Sequence, residues 1–388
     1  MRRNRIILLM LWLLALITIS NYGGQISYGF FILVTLIPFV SLFYIFCVSR
    51  LFRIYQHVNT HGLIANHDSP FEFILQNDSF IPFAGVRVFL YSQFSFIKGL
   101  DEKAEYEILP KGSVRKQTQL YCRYRGTYNV GIDKIVIEDF FRLFKVSHKI
   151  KNPLLVRIRP DIVHLSDLKN SEIAFNAVNE SRAKRNIADV LSREYVPGDD
   201  PRLINWKVSA SLNKLMVREQ IGEELSGIAI VMDSCRYSEE IEEYLPLENK
   251  ILEAVIALNL FFCEKGIPVF TYFEEDSIKQ IVANRDVVFD EVYEKMSSFI
   301  FREYQTADKL CSDILSSGAL ISKSAVFHVL HQLDDNCYSL INELEKHNIP
   351  QIIYVITDKP DESVLSKQVP DKTEIIFINP DQDLKEIM

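Results

Sequence analysis

Residues 193–220 read Arg-Glu-Tyr-Val-Pro-Gly-Asp-Asp-Pro-Arg-Leu-Ile-Asn-Trp-Lys-Val-Ser-Ala-Ser-Leu-Asn-Lys-Leu-Met-Val-Arg-Glu-Gln. Pro197-Gly198 is a turn signal, Asp200 is predicted to cap a helix, and Pro201 suits the first helical position, where its missing N–H costs nothing. Ile204, Val208 and Leu212 recur every four residues along one face of that helix. Asn213-Lys214 is predicted to end it, and Leu215, Met216 and Val217 to run extended. Arg193, Glu194, Asp199, Asp200, Arg202, Lys207, Arg218 and Glu219 crowd the same stretch with charge. Structural ion-pair networks concentrate charge as ligand sites do, so the stretch reads as a salt-bridged joint first and a binding surface second.

The stretch resembles the signature of the family catalogued as domain of unknown function 58, Arg-x-Tyr-x-x-Gly-Asp-x-x-Arg-x-Ile-Asn-Trp-Lys followed by a small-residue helix and a Val-Arg-Glu exit. Arg193, Tyr195, Gly198, Asp199, Arg202, Ile204, Asn205, Trp206 and Lys207 fill that pattern without a gap, and Val217, Arg218 and Glu219 supply the exit. The resemblance implies an α+β multidomain layout. Its parts are an N-terminal transmembrane helical hairpin (residues 1–54), a small antiparallel β-sandwich domain (55–165), a linker (166–192), the signature segment (193–222) and a C-terminal α/β doubly wound, von Willebrand factor A-like domain (223–388). It also implies two partners, a MoxR-type AAA+ ATPase and a membrane-bound transglutaminase-like protein.

Composition is compatible with that layout. The 388 residues are 48% hydrophobic, enough for two or three cored domains. A net charge of -8 argues against a nucleic-acid partner, which would call for a basic face. Six cysteines, at positions 47, 122, 235, 263, 311 and 337, form no Cys-x-x-Cys pair. They fit neither a zinc site nor a disulfide framework, but small buried hydrophobes in a reducing compartment.

At the amino end, uncharged apolar runs occupy residues 6–20 and 28–48, the second long enough to cross about 30 Å of hydrocarbon. Arg2, Arg3 and Arg5 precede the first run, Arg50 and Arg53 follow the second, and residues 21–27 between them carry no charge. The positive-inside rule then predicts a multi-pass cell-membrane protein with its bulk in the cytoplasm. Cleavage of the first run as a signal peptide would leave the second with the same polarity.

Beyond residue 55 the pattern changes to alternation. Strands are predicted at 71–75, 86–91, 104–109, 119–124, 134–137 and 154–158, separated by Asn77-Asp78, Lys111-Gly112 and Arg125-Gly126 turns. Tyr124-Arg125-Gly126-Thr127-Tyr128 resembles the family's Arg-Gly-x-Tyr turn, whereas Phe140-Phe141-Arg142-Leu143-Phe144 stands where the family has a Pro-Phe-Gly-Leu-like segment. The aromatics read as core rather than a stacking platform. Basic residues such as Lys111, Arg115, Arg142 and Lys145 read as a mixed solvated surface, with attraction to anionic headgroups as the alternative. Residues 166–192, poor in aliphatics, read as a partly ordered connection.

From 223 onward, strands at 227–232, 267–273, 278–282, 325–330, 351–356 and 374–378 alternate with helices at 247–265, 287–301 and 338–347. This pattern predicts a doubly wound sheet with ligands at the strands' carboxyl ends. The first such end, Asp233-Ser234-Cys235-Arg236-Tyr237-Ser238, looks like the Asp-x-Ser-x-Ser loop that offers magnesium a carboxylate and two hydroxyls in von Willebrand factor A-like domains. Magnesium wants hard oxygen ligands, but Cys235 and Tyr237 hold the serine positions. The loop is therefore expected to bind divalent metal weakly or not at all, with Asp233 and the distant Asp334 or Asp335 as remaining candidate ligands and loop capping the simpler role for Asp233. No cofactor is expected.

Cys235 lacks a phosphate-cradle Arg six residues on, since Ile241 stands there, and the chain carries no P-loop, dinucleotide, Gly-x-Ser-x-Gly or His-Glu-x-x-His motif. The expectation is a membrane-anchored interaction protein without catalytic activity, its signature locking the β domain to the α/β domain. There Arg193, Asp199, Arg202 and Lys207 would form the polar network and Gly198 and Trp206 would fix backbone and packing. Two alternatives are a hydrolase or transferase using Asp199, Asp200 and the neighbouring Arg and Lys residues, and a metal-dependent ligand-binding A-type domain.

Overall fold

The structure, a computed structural model, describes residues 1–388 apart from 59–61, 102–103, 170, 189–191, 197–203, 219–226, 284–288 and 359–372, and apart from the side chains of 181–188, 192, 193 and 218. Two compact units divide the chain, Met1–Asp161 and Ile162–Met388.

In the first unit, helices α1 (Arg2–Tyr22) and α2 (Gln25–Leu51) are both long and apolar enough to cross a membrane. Gly23 and Gly24 join them at φ 51° and 111°, conformations that side-chain-bearing residues avoid. Trp12 bonds Thr35 across the hairpin at 3.1 Å and sets its ring 5.9 Å from Phe31.

No linker follows α2. Strand β1 (Phe52–Val58) begins at the next residue, ahead of β2 (Asp68–Asn77), β3 (Phe83–Leu90), β4 (Ser95–Lys98), β5 (Glu105–Ile108), β6 (Ser113–Cys122), β7 (Gly126–Val130), β8 (Ile132–Glu138), β9 (Lys145–Lys149) and β10 (Leu154–Ile158). They form antiparallel sheets in the orders β1-β2-β6-β4, β5-β3-β8-β9 and β7-β10. Alternate residues of β2, Phe71, Phe73 and Leu75, are buried, and Phe73 meets Tyr106 of the second sheet edge to face at 6.0 Å.

All six predicted strands are present, and β1, β4, β7 and β9 are additional. The aromatics divide: Phe71, Phe73, Phe83 and Phe94 are core, whereas Phe80, Phe96, Phe140 and Phe141 are exposed, against the expectation that such rings line the interior. Phe140 and Phe141 lie in a turn that Asp139 closes by accepting from the N–H groups of Phe141 (3.1 Å) and Phe144 (2.7 Å). Leu143 and Asp139 of that turn are buried.

The second unit opens with α3 (Ser171–Ala188), where a partly ordered linker was expected. Ala174 and Val178 are buried, and Phe175 packs against Phe261 and Phe262 with ring centroids 6.2 and 6.0 Å away. After β11 (Ser192–Glu194), α4 (Trp206–Leu212) and β12 (Met216–Arg218), the chain builds β13 (Ile228–Met232), α5 (Ile241–Glu264), β14 (Val269–Glu274), β15 (Ile278–Ala283), α6 (Phe289–Ser298), α7 (Ala307–Ser317), β16 (Ala325–Leu330), α8 (Asp335–Lys346), β17 (Gln351–Ile356), β18 (Thr373–Ile378) and α9 (Leu384–Ile387). Helix α7 was not foreseen.

The six-stranded mixed sheet runs β15-β14-β13-β16-β17-β18, parallel except for the edge strand β15. Ile228, Ile230 and Met232 face a core built with α3, α5 and α6, and Ala229 and Val231 face one built with α7 and α8. Helix α5 is buried throughout residues 248–259. Its polar residues are satisfied internally: Lys250 bonds Glu253 (2.9 Å) and the carbonyl of Gln382 (3.0 Å), and Asn259 bonds Thr271 (3.0 Å).

Gly227 precedes β13 where the backbones of two strands close up; a Cβ there would collide with the carbonyl oxygen of Pro268 and come within 2.8 Å of the Phe270 ring. Gly227→Ala is expected to lower stability by about 1–3 kcal/mol, the usual cost of overpacking. Denaturant unfolding of the full chain followed by circular dichroism measures it, and an unshifted midpoint would contradict the packing described.

Candidate functional site

Two places were singled out by the sequence, the signature segment and the loop after β13. In the segment, β11 and β12 pair antiparallel, Arg193 opposite Val217 and Glu194 opposite Met216. Ile204 bridges Val217, the Tyr195 N–H donates to the Leu215 carbonyl and the Asn205 N–H to the Met216 carbonyl, each at 2.8 Å. Buried Ser209 accepts from the Met216 N–H at 2.9 Å, and Lys214 pairs with Glu194. These bonds close the segment on itself.

The helix starts later than the sequence suggested. Asn205, not Asp200, is the capping residue, its side chain accepting from the Val208 N–H at 3.4 Å and its carbonyl from Ser209 at 2.8 Å. Ile204 thus lies ahead of the helix rather than on its face. Asn213 ends it in the left-handed conformation at φ 54°, as read.

Gly198, Asp199, Asp200, Pro201, Arg202 and Glu219 lie outside the described residues, as do the side chains of Arg193 and Arg218. Tyr195 is half-buried and Lys207 exposed. Trp206, expected to fix packing, is 67% exposed. Val196, Leu212 and Leu215 are exposed as well.

The loop after β13 is packed tightly. Asp233 is fully buried. One carboxylate oxygen accepts from the Cys235 N–H at 2.9 Å; the other accepts from the Tyr237 hydroxyl at 2.9 Å and the His331 N–H at 3.0 Å. Burial pushes the Asp233 carboxyl above its ordinary range, and these three donors pull the other way. The Tyr237 ring lies 4.6 Å from the His331 imidazole, whose Nδ1 donates to the Ile356 carbonyl at 2.7 Å.

Arg236 grips Glu248 with two bonds, 2.6 and 3.2 Å, while its guanidinium stacks 3.9 Å from the Tyr244 ring. Ser234 accepts from the Glu274 N–H at 3.0 Å through its hydroxyl; across the loop the Arg236 N–H donates to the Arg302 carbonyl and the Arg302 N–H to the Ser234 carbonyl, both at 3.2 Å. The pocket among Cys235, Tyr237, Glu248 and His331 measures about 10 Å³, room for one water.

This set does not fit a magnesium ion. Both Asp233 oxygens already accept protein donors, the Tyr237 hydroxyl reaches the carboxylate directly, and Cys235 offers sulfur. Asp334 sits at the amino end of α8, and Asp308 is engaged by Asn336 at 2.9 and 2.8 Å. Among the described residues, no group of three or more His, Cys, Asp or Glu side chains is arranged to hold a metal. Burial, with the Asp233 charge second, pushes the Cys235 thiol up to about 12, so it stays protonated at neutral pH and is a poor nucleophile.

The family described as Protein of unknown function DUF58 matches residues 191–265, a span holding β11, α4, β12, β13, the Asp233 loop and α5. A search of the curated proteins returns no match. Among solved structures, the chain is similar to BslA, a bacterial hydrophobin, at 15% identity over 28% of this chain and 89% of that one, with a TM-score of 0.13. It is also similar to an inactive mutant of a GH20 exo-β-N-acetylglucosaminidase from Vibrio harveyi at 8% identity, over 79% of this chain and 57% of the glycosidase's length, with a TM-score of 0.19. TM-scores this low leave fold and function to the chain's own geometry.

If the Tyr237 hydroxyl and the Cys235 thiol are what close the loop to metal, Cys235→Ser with Tyr237→Ser supplies two hydroxyls and removes one of the two donors on a carboxylate oxygen, leaving only the His331 N–H there. Calorimetric titration of the full chain in detergent is expected to show saturable magnesium binding by the double variant and none by the parent. Equal binding by both would show that the tyrosine hydroxyl does not stand in the ion's place.

Proposed function

We propose that the chain is a membrane-anchored interaction protein without turnover of its own. Helices α1 and α2 would span the cell membrane, and the rest would face the cytoplasm. The exposed Trp206 module would dock a MoxR-type AAA+ ATPase, with a transglutaminase-like membrane protein as a further partner. The partner classes come from the family resemblance carried by Arg193–Glu219. Orientation is supported by charge: Arg2, Arg3 and Arg5 lie before the first helix's apolar run, Arg50 and Arg53 after that of the second, and no charge lies in residues 21–27.

Trp206 carries the reading. A large ring left 67% exposed on a segment held by its own hydrogen bonds is the kind of anchor that concentrates binding energy at interfaces. In this reading the mixed sheet is a von Willebrand factor A-like domain in which Tyr237 has taken the ion's place at Asp233. The self-satisfied loop and the protonated Cys235 supply no nucleophile or base, which favours docking over catalysis.

Two measurements test this. Protease added to sealed cells is expected to leave residues beyond Arg53 intact until lysis; digestion without lysis would reverse the topology. Trp206→Ala is expected to weaken co-purification of the ATPase from membranes about tenfold, equivalent to about 1.4 kcal/mol, with no change in unfolding midpoint because the ring lies mostly outside the core. Purification of the parent free of any AAA+ ATPase in every nucleotide state would refute the partnership.

A further inference from the structure

We propose that three loops of the first unit, residues 78–82, 109–111 and 139–144, form a foot embedded in the headgroup layer beside α1 and α2, with an anionic lipid surface as its ligand. The inference rests on the membrane-spanning reading of the two helices. It adds that the β domain itself enters the interface, rather than hanging below it.

The loops expose large apolar side chains: Phe80 is 80% exposed, Leu109 75%, Phe140 59% and Phe141 51%. They are also fastened to the helices. The Tyr44 hydroxyl on α2 donates to the Pro82 carbonyl and accepts from the Ala84 N–H, both at 3.0 Å, and its ring lies 5.1 Å from that of Phe140. From α1, Asn4 donates to the Phe141 carbonyl at 2.9 Å and Arg5 to the Leu143 carbonyl at 2.7 Å. The 109–111 loop joins the first through the Lys111 N–H on the Ser79 carbonyl (3.0 Å), and Asn77 bonds the carbonyls of both Ile81 (2.8 Å) and Leu109 (3.1 Å).

Helix length sets the depth. The 27 residues of α2 span roughly 40 Å, about 10 Å more than the hydrocarbon thickness. With the outer edge of the hydrocarbon taken at Gln25, Tyr44, seven residues or about 10 Å before the helix end at Leu51, lies at the inner edge, where tyrosines gather in membrane proteins. On α1, Arg5 is the last charge before the apolar run and marks the same boundary. The loops held by Tyr44, Asn4 and Arg5 therefore sit at headgroup level, and their exposed rings have the bilayer as nearest neighbour.

Charge agrees with this placement. The Lys111 ammonium lies 4.3 Å from the Phe80 ring, an arrangement that lets the ring enter while the cation meets phosphate. Of the nearby anions, Asp139 is engaged by two N–H groups, Asp78 by Arg53 at 3.0 Å and Glu105 by Arg142 at 2.9 Å, while Glu107 is exposed.

Tryptophan fluorescence in vesicles of phosphatidylcholine and phosphatidylglycerol with acyl chains brominated near the headgroup tests the proposal. The full chain bearing Trp206→Phe keeps Trp12 as its one reporter of the span itself. With Trp12→Phe added, Phe80→Trp and Phe141→Trp report the foot, and Phe96→Trp reports an exposed position on β4. Loss of emission to bromine is expected at 12, 80 and 141 but not at 96. Quenching of Trp12 alone, with iodide reaching positions 80 and 141, would overturn the foot and leave the anchor standing; shielding of those positions from both quenchers would mean a second copy covers them, which also overturns it. An unquenched Trp12 would remove the anchor and the foot together.

Discussion

Residues 228–232 have no face for water, and that constraint shapes the carboxy-terminal unit. Odd and even positions of β13 are buried alike, so helices must lie on both sides of the sheet. On one side the demand passes outward. Helix α5 buries its inner face against Ile228, Ile230 and Met232, and Phe261 and Phe262 then need cover, which Phe175, Ala174 and Val178 of α3 provide. A helix apolar all round is stable only when enclosed, and α3 makes the enclosure. The polar residues caught inside, Asn249, Lys250, Glu253 and Asn259, persist because each has a partner, including the Gln382 carbonyl from the far end of the chain.

The amino-terminal unit obeys a different constraint, the absence of slack between α2 and the sheet. Leu51 ends α2 and Phe52 begins β1, so the helix axis fixes where the first strand starts. Tyr44 and Arg5 add side-chain bonds from both helices to the loops between strands. A domain held this way cannot swing freely on a tether.

The sequence was most legible where one period dominates. Apolar runs gave both membrane-length helices, and alternation gave the longer strands, because those patterns report burial directly. β4 and β9 are only four or five residues long, β1 was hidden behind Arg53, Gln56 and His57, and β7 behind the Gly126 turn. Among its described side chains, α3 buries little more than Ala174 and Val178 in a polar stretch, too short a stripe to stand out from a linker. In the signature segment the sequence reading placed the cap at Asp200, whereas Asn205 caps α4, its own N–H tied to the Met216 carbonyl, a contact eleven residues away that local propensity does not report. The exposure of Trp206 had no sequence signal, since a tryptophan beside Ile204 and Val208 reads equally as core. The loop after β13 was half legible: substitution of the serines was visible, but the reach of the Tyr237 hydroxyl into Asp233 depends on His331, nearly a hundred residues away.

The two candidate sites differ in what they leave open. At Asp233 both carboxylate oxygens already accept donors from the protein, and the remaining space holds about one water, so little free energy is available there for a ligand. The segment around Trp206 is the reverse case. Its backbone bonds and buried Ser209 hold it without help from the indole, so exposing that ring takes nothing from its hydrogen bonding. Burying roughly 150 Å² of it against a partner would contribute on the order of 4 kcal/mol. On the docking reading, a fold that closes its strand-end pocket and presents an aromatic on a separately bonded segment places recognition at the surface rather than in a cavity, which suits binding another protein better than holding a small molecule.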